Sequence, residues 1–208
     1  IGRVLRQLDD LKLTGRTVVI LTSDNGGVDF STAKSGNRPP TRNVPFRAGK
    51  GTLYEGGLRV PLIIRWPGRT RLGTECATQV TSQDFFSTLA DALGQTDAPR
   101  HDGVSLLPLL KNPKAPLNRE ALFWHYPHYY SRMTPASAIR TGDWKLIHYY
   151  EDNRMELFNL KNDPAENKNL ITAQSAKAKA LREKLDAWRN ETDAKAPTKN
   201  PDWRPRKK

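Results

Sequence analysis

The apolar and polar positions at the start of the chain predict a helix that leads into a buried strand. Five apolar residues recur at the three- and four-residue spacing of one helix face: Ile1, Val4, Leu5, Leu8 and Leu11. Gly15 is expected to end this helix. Residues 17–21 are β-branched or aliphatic without interruption, which is typical of a parallel strand covered by helices on both faces. The pattern therefore predicts an αβ unit of an α/β core.

Two later stretches extend this core. Residues 58–66 predict a second core strand that ends at Pro67, with Pro61 near its beginning because proline cannot donate to a strand ladder. Residues 81–93 predict a helix that stops at Gly94. Its apolar stripe is expected to pack in the core and consists of Phe85, Phe86, Leu89, Ala90 and Leu93.

The second half of the chain has the pattern of short antiparallel strands. Residues 137–140, 144–150 and 155–160 are separated by turn-forming residues, so a meander is expected. Residues 172–190 predict an amphipathic helix that packs against this sheet.

These patterns divide the chain into three predicted parts. Residues 1–111 are expected to belong to an α/β core, and residues 112–190 to a smaller α+β subdomain with an antiparallel sheet and a C-terminal helix. Residues 191–208 are expected to form a flexible basic tail.

The net charge of the chain raises the question of an anionic partner. There are 34 Lys and Arg against 22 Asp and Glu, a formal charge of +12, and residues 195–208 hold six basic residues and one acidic residue. The other basic residues are scattered, with no zinc-finger spacing, RNP-like motif or basic helix. We therefore expect no specific nucleic-acid partner, and a sulfated glycan fits the charge as well as DNA does.

Composition is that of a protein with a core and no membrane span. The chain has 208 residues, 37% of them hydrophobic, and a mean hydropathy of −0.70. No apolar run approaches the roughly 18 residues needed to cross a bilayer. A chain of this length can bury a sizeable core.

Candidate chemistry begins at the end of the first predicted strand, where Asp24 and Asn25 precede Gly26 and Gly27. In open α/β sheets, ligands bind beyond the carboxyl ends of the strands. Carboxylate and amide oxygens suit a hard cation such as Ca²⁺ or Mg²⁺. The alternative is an ordinary turn, since Asp, Asn and Gly all tolerate left-handed backbone.

A second segment, around Lys50, favours the metal site over the ordinary turn. Lys50 stands between two glycines, which would let the backbone pass close to a ligand. Together the segments resemble the sulfatase family of the alkaline-phosphatase-like superfamily, whose members carry Asp-Asn-Gly after a core strand and then Gly-Lys-Gly-Thr-x-x-Glu-Gly-Gly. Both motifs are present in order, within residues 23–27 and 49–57. The resemblance continues through residues 62–68 and 156–164 and covers the chain to about residue 190.

The resemblance implies the C-terminal portion of an alkaline-phosphatase-like sandwich core and the hydrolysis of a sulfate ester, of a sulfated carbohydrate or an aryl sulfate. Asp24 and Asn25 would be metal ligands, for Ca²⁺ or alternatively Mg²⁺, and Lys50 would be catalytic by contacting a sulfate oxygen. A cation and an ammonium suit this chemistry because negative charge grows as the S–O bond breaks. The family also implies a periplasmic or secreted protein.

Sulfatases use a formylglycine made from Cys or Ser in a Cys/Ser-x-Pro-x-Arg motif, together with an Asp-Asp metal pair. The Cys/Ser-x-Pro-x-Arg motif does not occur in this sequence, and the single cysteine, Cys76, is followed by Ala77 and Thr78. We therefore expect the nucleophile upstream of Ile1. The N-terminal part of the same protein would then be a partner of this chain, which is expected to be inactive alone.

Other polar residues near the motifs have two possible roles each. Arg47 could bind substrate or hold its loop. Glu55 and Arg59 are expected to form a structural ion pair, with Gly56 and Gly57 permitting a tight turn.

Residues 123–130 combine aromatic side chains with two histidines, His125 and His128. Aromatic rings stack on sugar faces and imidazoles bind hydroxyls, so both histidines are predicted to contact substrate. The alternative is that the cluster packs an interface. His148 lies in a predicted strand and is expected to be structural.

Two other classes of function stay open. A phosphodiesterase, phosphonate hydrolase or phosphomutase of the same superfamily would handle a similar tetrahedral anion. A non-catalytic polyanion-binding module would explain the basic charge without the motifs.

Overall fold

The computed structural model describes residues 1–31, 36, 38–95 and 102–198, and its contacts separate the chain into two units. One unit contains Ile1–Ser23 and Pro61–Glu120, and the other contains Asp24–Val60 and the chain from Ala121 on. In chain order the elements are α1 (Gly2–Asp10), a 3-10 helix (Thr14–Arg16), β1 (Val19–Thr22), α2 (Glu55–Leu58), β2 (Leu62–Arg65), α3 (Asp84–Ala92), α4 (Leu107–Lys111), β3 (Leu122–Tyr126), β4 (Ala136–Thr141), β5 (Trp144–Tyr149), β6 (Met155–Asn159) and α5 (Ser175–Glu191).

The two units divide the chain differently from the boundary expected near residue 111. Residues 24–60, which carry both glycine-containing motifs, belong with the antiparallel sheet and not with the strand that precedes them. The reason is burial, because Leu53 and Tyr54 lie in the same core cluster as residues of β4, β5 and β6. The predicted tail lies outside the described residues from residue 199 on.

In the first unit, β1 pairs with β2 in antiparallel register, from Val19 opposite Arg65 to Thr22 opposite Leu62. The prediction of a parallel strand was therefore wrong for this pair. The strand is also only half-buried at three of its four positions and exposed at Thr22. The second predicted core strand begins later than expected, since residues 55–58 are helical.

Helix α3 exposes part of the apolar stripe that was expected to be buried. Phe86, Leu89 and Leu93 of the third helix and its C-terminal cap are largely exposed. Asp84 and Thr88 are buried instead, because their oxygens accept hydrogen bonds from the backbone N–H groups of the following loop. Polar contacts therefore decide which face of α3 packs within this unit.

In the second unit, β3, β4, β5 and β6 form an antiparallel meander in sequence order. The three later strands confirm the predicted meander, whereas β3 lies in the aromatic and histidine cluster, for which no strand was predicted. Each face of the sheet has its own core, because neighbouring strand residues point to opposite sides. The prediction of a helix on the sheet is also confirmed by α5.

One face of the sheet packs against α5, through a cluster of Ile139, Leu146, Leu157, Ala178, Leu181 and Leu185. Phe123 and Trp188 extend this cluster with parallel rings whose centroids are 4.8 Å apart. The opposite face packs against the segment that follows Lys50, in a cluster that includes Leu53, Tyr54, Ala138, Ile147 and Phe158. We call these the helix face and the motif face of the sheet. Within the described residues, no helix is long and apolar enough to traverse a lipid bilayer.

Candidate functional site

The two motifs lie side by side and are joined by their backbones. The N–H of Lys50 donates to the carbonyl of Gly27 at 3.1 Å, and the N–H of Gly26 donates to the carbonyl of Gly57 at 3.0 Å. The turn that carries Asp24 and Asn25 is therefore held against the loop that carries Lys50. We call this the motif crossing.

Glycines permit the motif crossing because no side chain fits there. A Cβ on Gly26 would lie 1.8 Å from the Gly56 oxygen, and a Cβ on Gly49 would lie 2.3 Å from the Gly27 oxygen. Both distances are far inside van der Waals contact, so any other residue would separate the two segments. Gly49 was expected to make room for a ligand, but in the structure it makes room for another stretch of backbone.

Asn43 completes the crossing and was not identified from the sequence. Its Nδ2 donates to the carbonyls of Gly27 at 3.0 Å and Ala48 at 2.9 Å, and its Oδ1 accepts from the Gly27 N–H at 3.2 Å. One amide side chain thus makes hydrogen bonds to the backbone of Gly27, in the first motif, and of Ala48, just before the second. A lone Asn in a loop carries no sequence pattern that would distinguish this role from an ordinary turn.

Asp24 and Asn25 lie in the turn after β1, with Asp24 exposed and Asn25 half-buried. The Asn25 Nδ2 donates to the Gly26 carbonyl at 2.9 Å, which orients the amide. Among the described residues, no three His, Cys, Asp or Glu side chains are grouped as metal ligands. Because Ca²⁺ takes about six to eight oxygen ligands, these two residues fit part of a coordination shell.

Lys50 is exposed, and its position is set by the backbone on both sides. Its N–H is bonded to Gly27, and the next residue, Gly51, has a φ of +84°, which strongly favours glycine. The carbonyl of Gly49 accepts from both the backbone N–H of Thr52, at 3.2 Å, and its hydroxyl, at 2.8 Å. The ammonium therefore extends from a tightly bonded turn.

Arg47 makes contacts that hold its loop. Its Nη1 donates to the Glu166 carbonyl at 3.0 Å, and its guanidinium lies 3.9 Å from the centre of the Tyr54 ring. Tyr54 in turn donates to Glu156 at 2.7 Å and lies 2.9 Å from the Tyr149 hydroxyl. Burial raises the pKa of the Tyr54 phenol well above its ordinary range, so the hydroxyl remains a donor.

Glu55 is paired, but not with Arg59 as expected. Its carboxylate lies 3.1 Å from both the Arg140 Nη1 and the Lys145 Nζ. The side chain of Lys145 is fully buried and also lies 2.8 Å from Glu166. The Arg59 guanidinium instead lies over the Phe46 ring, 4.7 Å from its centre. Glu55 therefore fastens α2 to the motif face of the sheet.

Glu166 closes this cluster, which we call the buried ion quartet: Glu55, Arg140, Lys145 and Glu166. The Glu166 Oε2 accepts from the N–H of Glu55 at 2.7 Å, at the start of α2. Burial raises the pKa of the Glu166 carboxyl, while the neighbouring Lys145 ammonium opposes that shift.

The two candidate histidines are not placed together. His125 lies opposite Ser137 in the sheet, on the helix face. Its Nε2 donates to the Lys195 carbonyl at 3.0 Å, and its Nδ1 is 2.9 Å from the Ser137 hydroxyl and 3.0 Å from that of Tyr150. Both ring nitrogens are thus engaged within the protein, on the face opposite to the Lys50 loop.

His128 is exposed and packs edge-on against Tyr126, with ring centroids 5.5 Å apart. Tyr126 contacts the core cluster of the motif face. Of the two histidines predicted to contact substrate, the structure therefore brings only His128 to the side of the sheet on which Lys50 lies.

His148 is a buried structural residue between the sheet and α5. Arginine can only donate, so the His148 Nδ1 accepts from Arg189, whose Nη2 is 2.8 Å away, and the Nε2 donates to the Asn153 oxygen at 2.7 Å. Burial lowers the pKa of His148, and the charges of Arg182 and Arg189 add to that shift, against Asp186 and the bond to Asn153.

We expect this histidine to make the second unit less stable in mild acid. The unfolded state binds a proton near pH 6.5, whereas the folded state binds it only at lower pH, so the free energy of unfolding falls as pH drops below about 6.5. Thermal unfolding between pH 8 and pH 5 should show that the melting temperature of the wild type falls relative to that of His148→Gln. The matched variant at the exposed histidine, His128→Gln, should follow the wild type. Parallel curves for wild type and His148→Gln would contradict the assignment.

Cys76 is exposed, and its thiol donates to the Pro113 carbonyl at 3.3 Å. It has no base or metal ligand among its described contacts. That Cys76 is not the nucleophile stays a prediction from the sequence.

Comparison with known proteins gives a family and several relatives for this chain. The sequence matches the family described as N-sulphoglucosamine sulphohydrolase, C-terminal, over residues 48–191. A sulfatase from Formosa agariphila is 37% identical over 213 residues, which cover 90% of this chain and 37% of that protein. A solved structure of a protein bound to its substrate, D-glucosamine-2-N,6-O-disulfate, superposes with a TM-score of 0.72 and 30% identity, covering 93% of this chain and 38% of that one.

The phosphonate monoester hydrolase of Agrobacterium radiobacter superposes with a TM-score of 0.68 and 26% identity, covering 91% of this chain and 38% of that one. This chain thus spans less than two fifths of the length of each of these three proteins.

Proposed function

Because this chain belongs to the N-sulphoglucosamine sulphohydrolase C-terminal family of the sulfatases, we propose that it takes part in hydrolysing sulfate esters of a carbohydrate. Asp24 and Asn25 would contribute to a metal site, with Ca²⁺ as the expected ion. Lys50 would contact the sulfate. A periplasmic or secreted location follows from the same family assignment and is part of the proposal.

The motif crossing is the observation that carries this proposal. We call the turn around Lys50, residues 49–52, the lysine loop. The bond from the Lys50 N–H to the Gly27 carbonyl joins this loop to the turn of Asp24 and Asn25. A carboxylate and an ammonium are thereby held on neighbouring segments that have little freedom to separate. Such a pair of opposite charges suits a tetrahedral anion, because the carboxylate would retain a cation and the ammonium would bond an anionic oxygen.

Hydrolysis of a sulfate ester requires that the metal ligands and Lys50 be held in fixed positions around the sulfate. A divalent cation, when bound, withdraws charge from the sulfate oxygens. Lys50 would donate a charge-assisted hydrogen bond to another of those oxygens, which strengthens as charge develops. The buried ion quartet and Asn43 would keep the lysine loop in register with the metal ligands. The nucleophile is expected outside this chain, and no step is assigned to Cys76.

A second candidate is a phosphonate or phosphate ester hydrolase. The similarity to a phosphonate monoester hydrolase favours it. Sulfate and phosphonate esters are both tetrahedral anions, so a lysine and a metal serve either one. The two candidates differ in which ester is hydrolysed fastest, and that can be measured directly.

The test is an ester panel with the encoded protein, including any residues upstream of Ile1. Sulfated monosaccharides and oligosaccharides, an aryl sulfate, a phosphonate monoester and a phosphodiester are compared by kcat/KM. We expect the sulfated saccharides to be preferred, EDTA to lower turnover, and added Ca²⁺ to restore it more fully than Mg²⁺. Preference for the phosphonate ester would favour the second candidate. No turnover, with retention on a heparin column, would favour a polyanion-binding module.

A further inference from the structure

An exposed tyrosine lies directly beside the lysine loop. A Cβ on Gly51 would be only 2.3 Å from the Tyr130 Cε1, so the ring rests on the backbone of the residue that follows Lys50. Tyr130 is nevertheless 40% exposed. Part of this residue is therefore accessible to solvent.

The position of this ring is fixed by its own turn. The Tyr130 N–H donates to the Met133 carbonyl at 2.9 Å, and the Met133 N–H donates to the Tyr130 carbonyl at 3.2 Å. Met133 is buried in the core of the motif face, and its sulfur accepts from the N–H of Leu53, only two residues after Gly51. Met133 thus holds both the turn that carries Tyr130 and the segment that follows the lysine loop.

Arg132 attaches the same turn to the segment that follows Gly27. Its Nη2 lies 3.0 Å from the Asp29 carboxylate, and its guanidinium lies over the Phe30 ring, 5.2 Å from its centre. Because Arg132 is already paired, its charge is largely neutralised at this place. The structure thus places the Tyr130 ring against the backbone of Gly51, next to Lys50, while the Arg132 guanidinium pairs with Asp29.

We propose that Tyr130 determines substrate specificity by supporting the face of a pyranose ring whose sulfate is bound at Lys50. This inference rests on the proposed function and adds the residue that recognises the sugar. The apolar C–H face of a pyranose packs on an aromatic ring, while its hydroxyls stay in water. Inorganic sulfate would occupy the lysine position without touching the tyrosine.

The experiment separates sugar recognition from sulfate recognition in the encoded protein. Tyr130→Ala and Tyr130→Leu remove the ring, and Tyr130→Phe keeps it. Tyr129→Ala is the matched control, because Tyr129 is 68% exposed and its hydroxyl is bonded to Glu151. The readouts are KM and kcat for a sulfated monosaccharide, Ki for inorganic sulfate, and the dissociation constant of the same saccharide by titration calorimetry.

We expect Tyr130→Ala and Tyr130→Leu to raise KM and the dissociation constant by about three- to tenfold, with kcat and the sulfate Ki within about twofold. Tyr130→Phe and Tyr129→Ala should resemble the wild type. An unchanged KM, or a rise of KM and sulfate Ki together, would overturn the inference, since the tyrosine would then only hold the loop.

Failure of the proposed function can be distinguished from failure of the Tyr130 proposal. A wild-type protein that releases no sulfate from any saccharide would overturn that function. The dissociation constants from calorimetry would then be the test of the role of Tyr130. Saccharide binding that weakens in Tyr130→Ala, with unchanged sulfate binding, would still support a role of Tyr130 in sugar recognition. A wild type that binds no sulfated saccharide would overturn both.

Discussion

Replacing Lys50 with alanine is expected to lower kcat/KM for a sulfated monosaccharide by roughly 10²–10³-fold, the loss typical of one transition-state donor. Lys50 stands on a turn whose backbone is bonded to the turn of Asp24 and Asn25, so the base of its side chain is held in place. Removing it leaves a sulfate oxygen without a partner when its charge grows. Steady-state kinetics with the encoded protein give the ratio directly.

Two variants show whether the loss is specific to this ammonium. Lys50→Arg keeps the charge but changes its shape and reach, so we expect only partial activity. Arg59→Ala removes another exposed cation of the same segment, one that lies over the Phe46 ring, and should leave kcat/KM within about twofold. A Lys50→Ala enzyme within threefold of wild type would show that Lys50 does not act on the substrate. A far-UV spectrum and melting temperature equal to those of the wild type would confirm that the loop is intact.

The local patterns predicted the second unit better than the first. Strands β4, β5 and β6 follow from alternating residues and turn signals, both of which act over a few neighbours. In the first unit the stripe of α3 predicted the wrong buried face, because Asp84 and Thr88 are held by backbone N–H groups of a loop about twenty residues away. Hydrophobic periodicity carries no information about such hydrogen bonds.

At the site, the motifs supplied candidate residues, whose roles stay predictions, but did not predict what the glycines contact. Gly26 and Gly49 could be explained equally by a ligand or by a crossing of two backbones, and only the structure shows the crossing. His125 was grouped with His128 because both lie in one aromatic stretch. A strand there sends alternate side chains to opposite faces, which separates His125 from the motif face.

Ion-pair partners were the least predictable feature. Glu55 and Arg59 are four residues apart, the spacing at which helical side chains meet. The helix that begins at Glu55 is only four residues long and lies against the sheet, so Glu55 points to strand residues 85 and 90 positions later in the chain. Long-range pairing of this kind depends on the fold and has no signal in sequence spacing.

The buried ion quartet leads to the largest expected change in stability. Replacing Lys145 with methionine removes the ammonium that lies between Glu55 and Glu166, and the side chains of all three residues are at most 2% exposed. Loss of one partner of a buried pair typically costs about 3–5 kcal/mol, because the remaining charge is left uncompensated. We expect Lys145→Met to lower the free energy of unfolding of the second unit by that amount, measured by denaturant unfolding of the encoded protein at pH 7.

A second substitution and a change of pH distinguish a charge effect from a packing effect. Lys145→Met combined with Glu166→Gln should recover part of the loss, since one unpaired carboxylate is removed while an oxygen remains to accept the Glu55 N–H. The deficit of Lys145→Met should also shrink as pH falls towards 5, because a buried carboxyl with a raised pKa binds its proton more readily folded than unfolded. Lys177→Met, on the exposed side of α5, should change stability by less than about 0.5 kcal/mol. A loss that is unchanged by pH and by Glu166→Gln would contradict a charge effect and would indicate altered packing at residue 145.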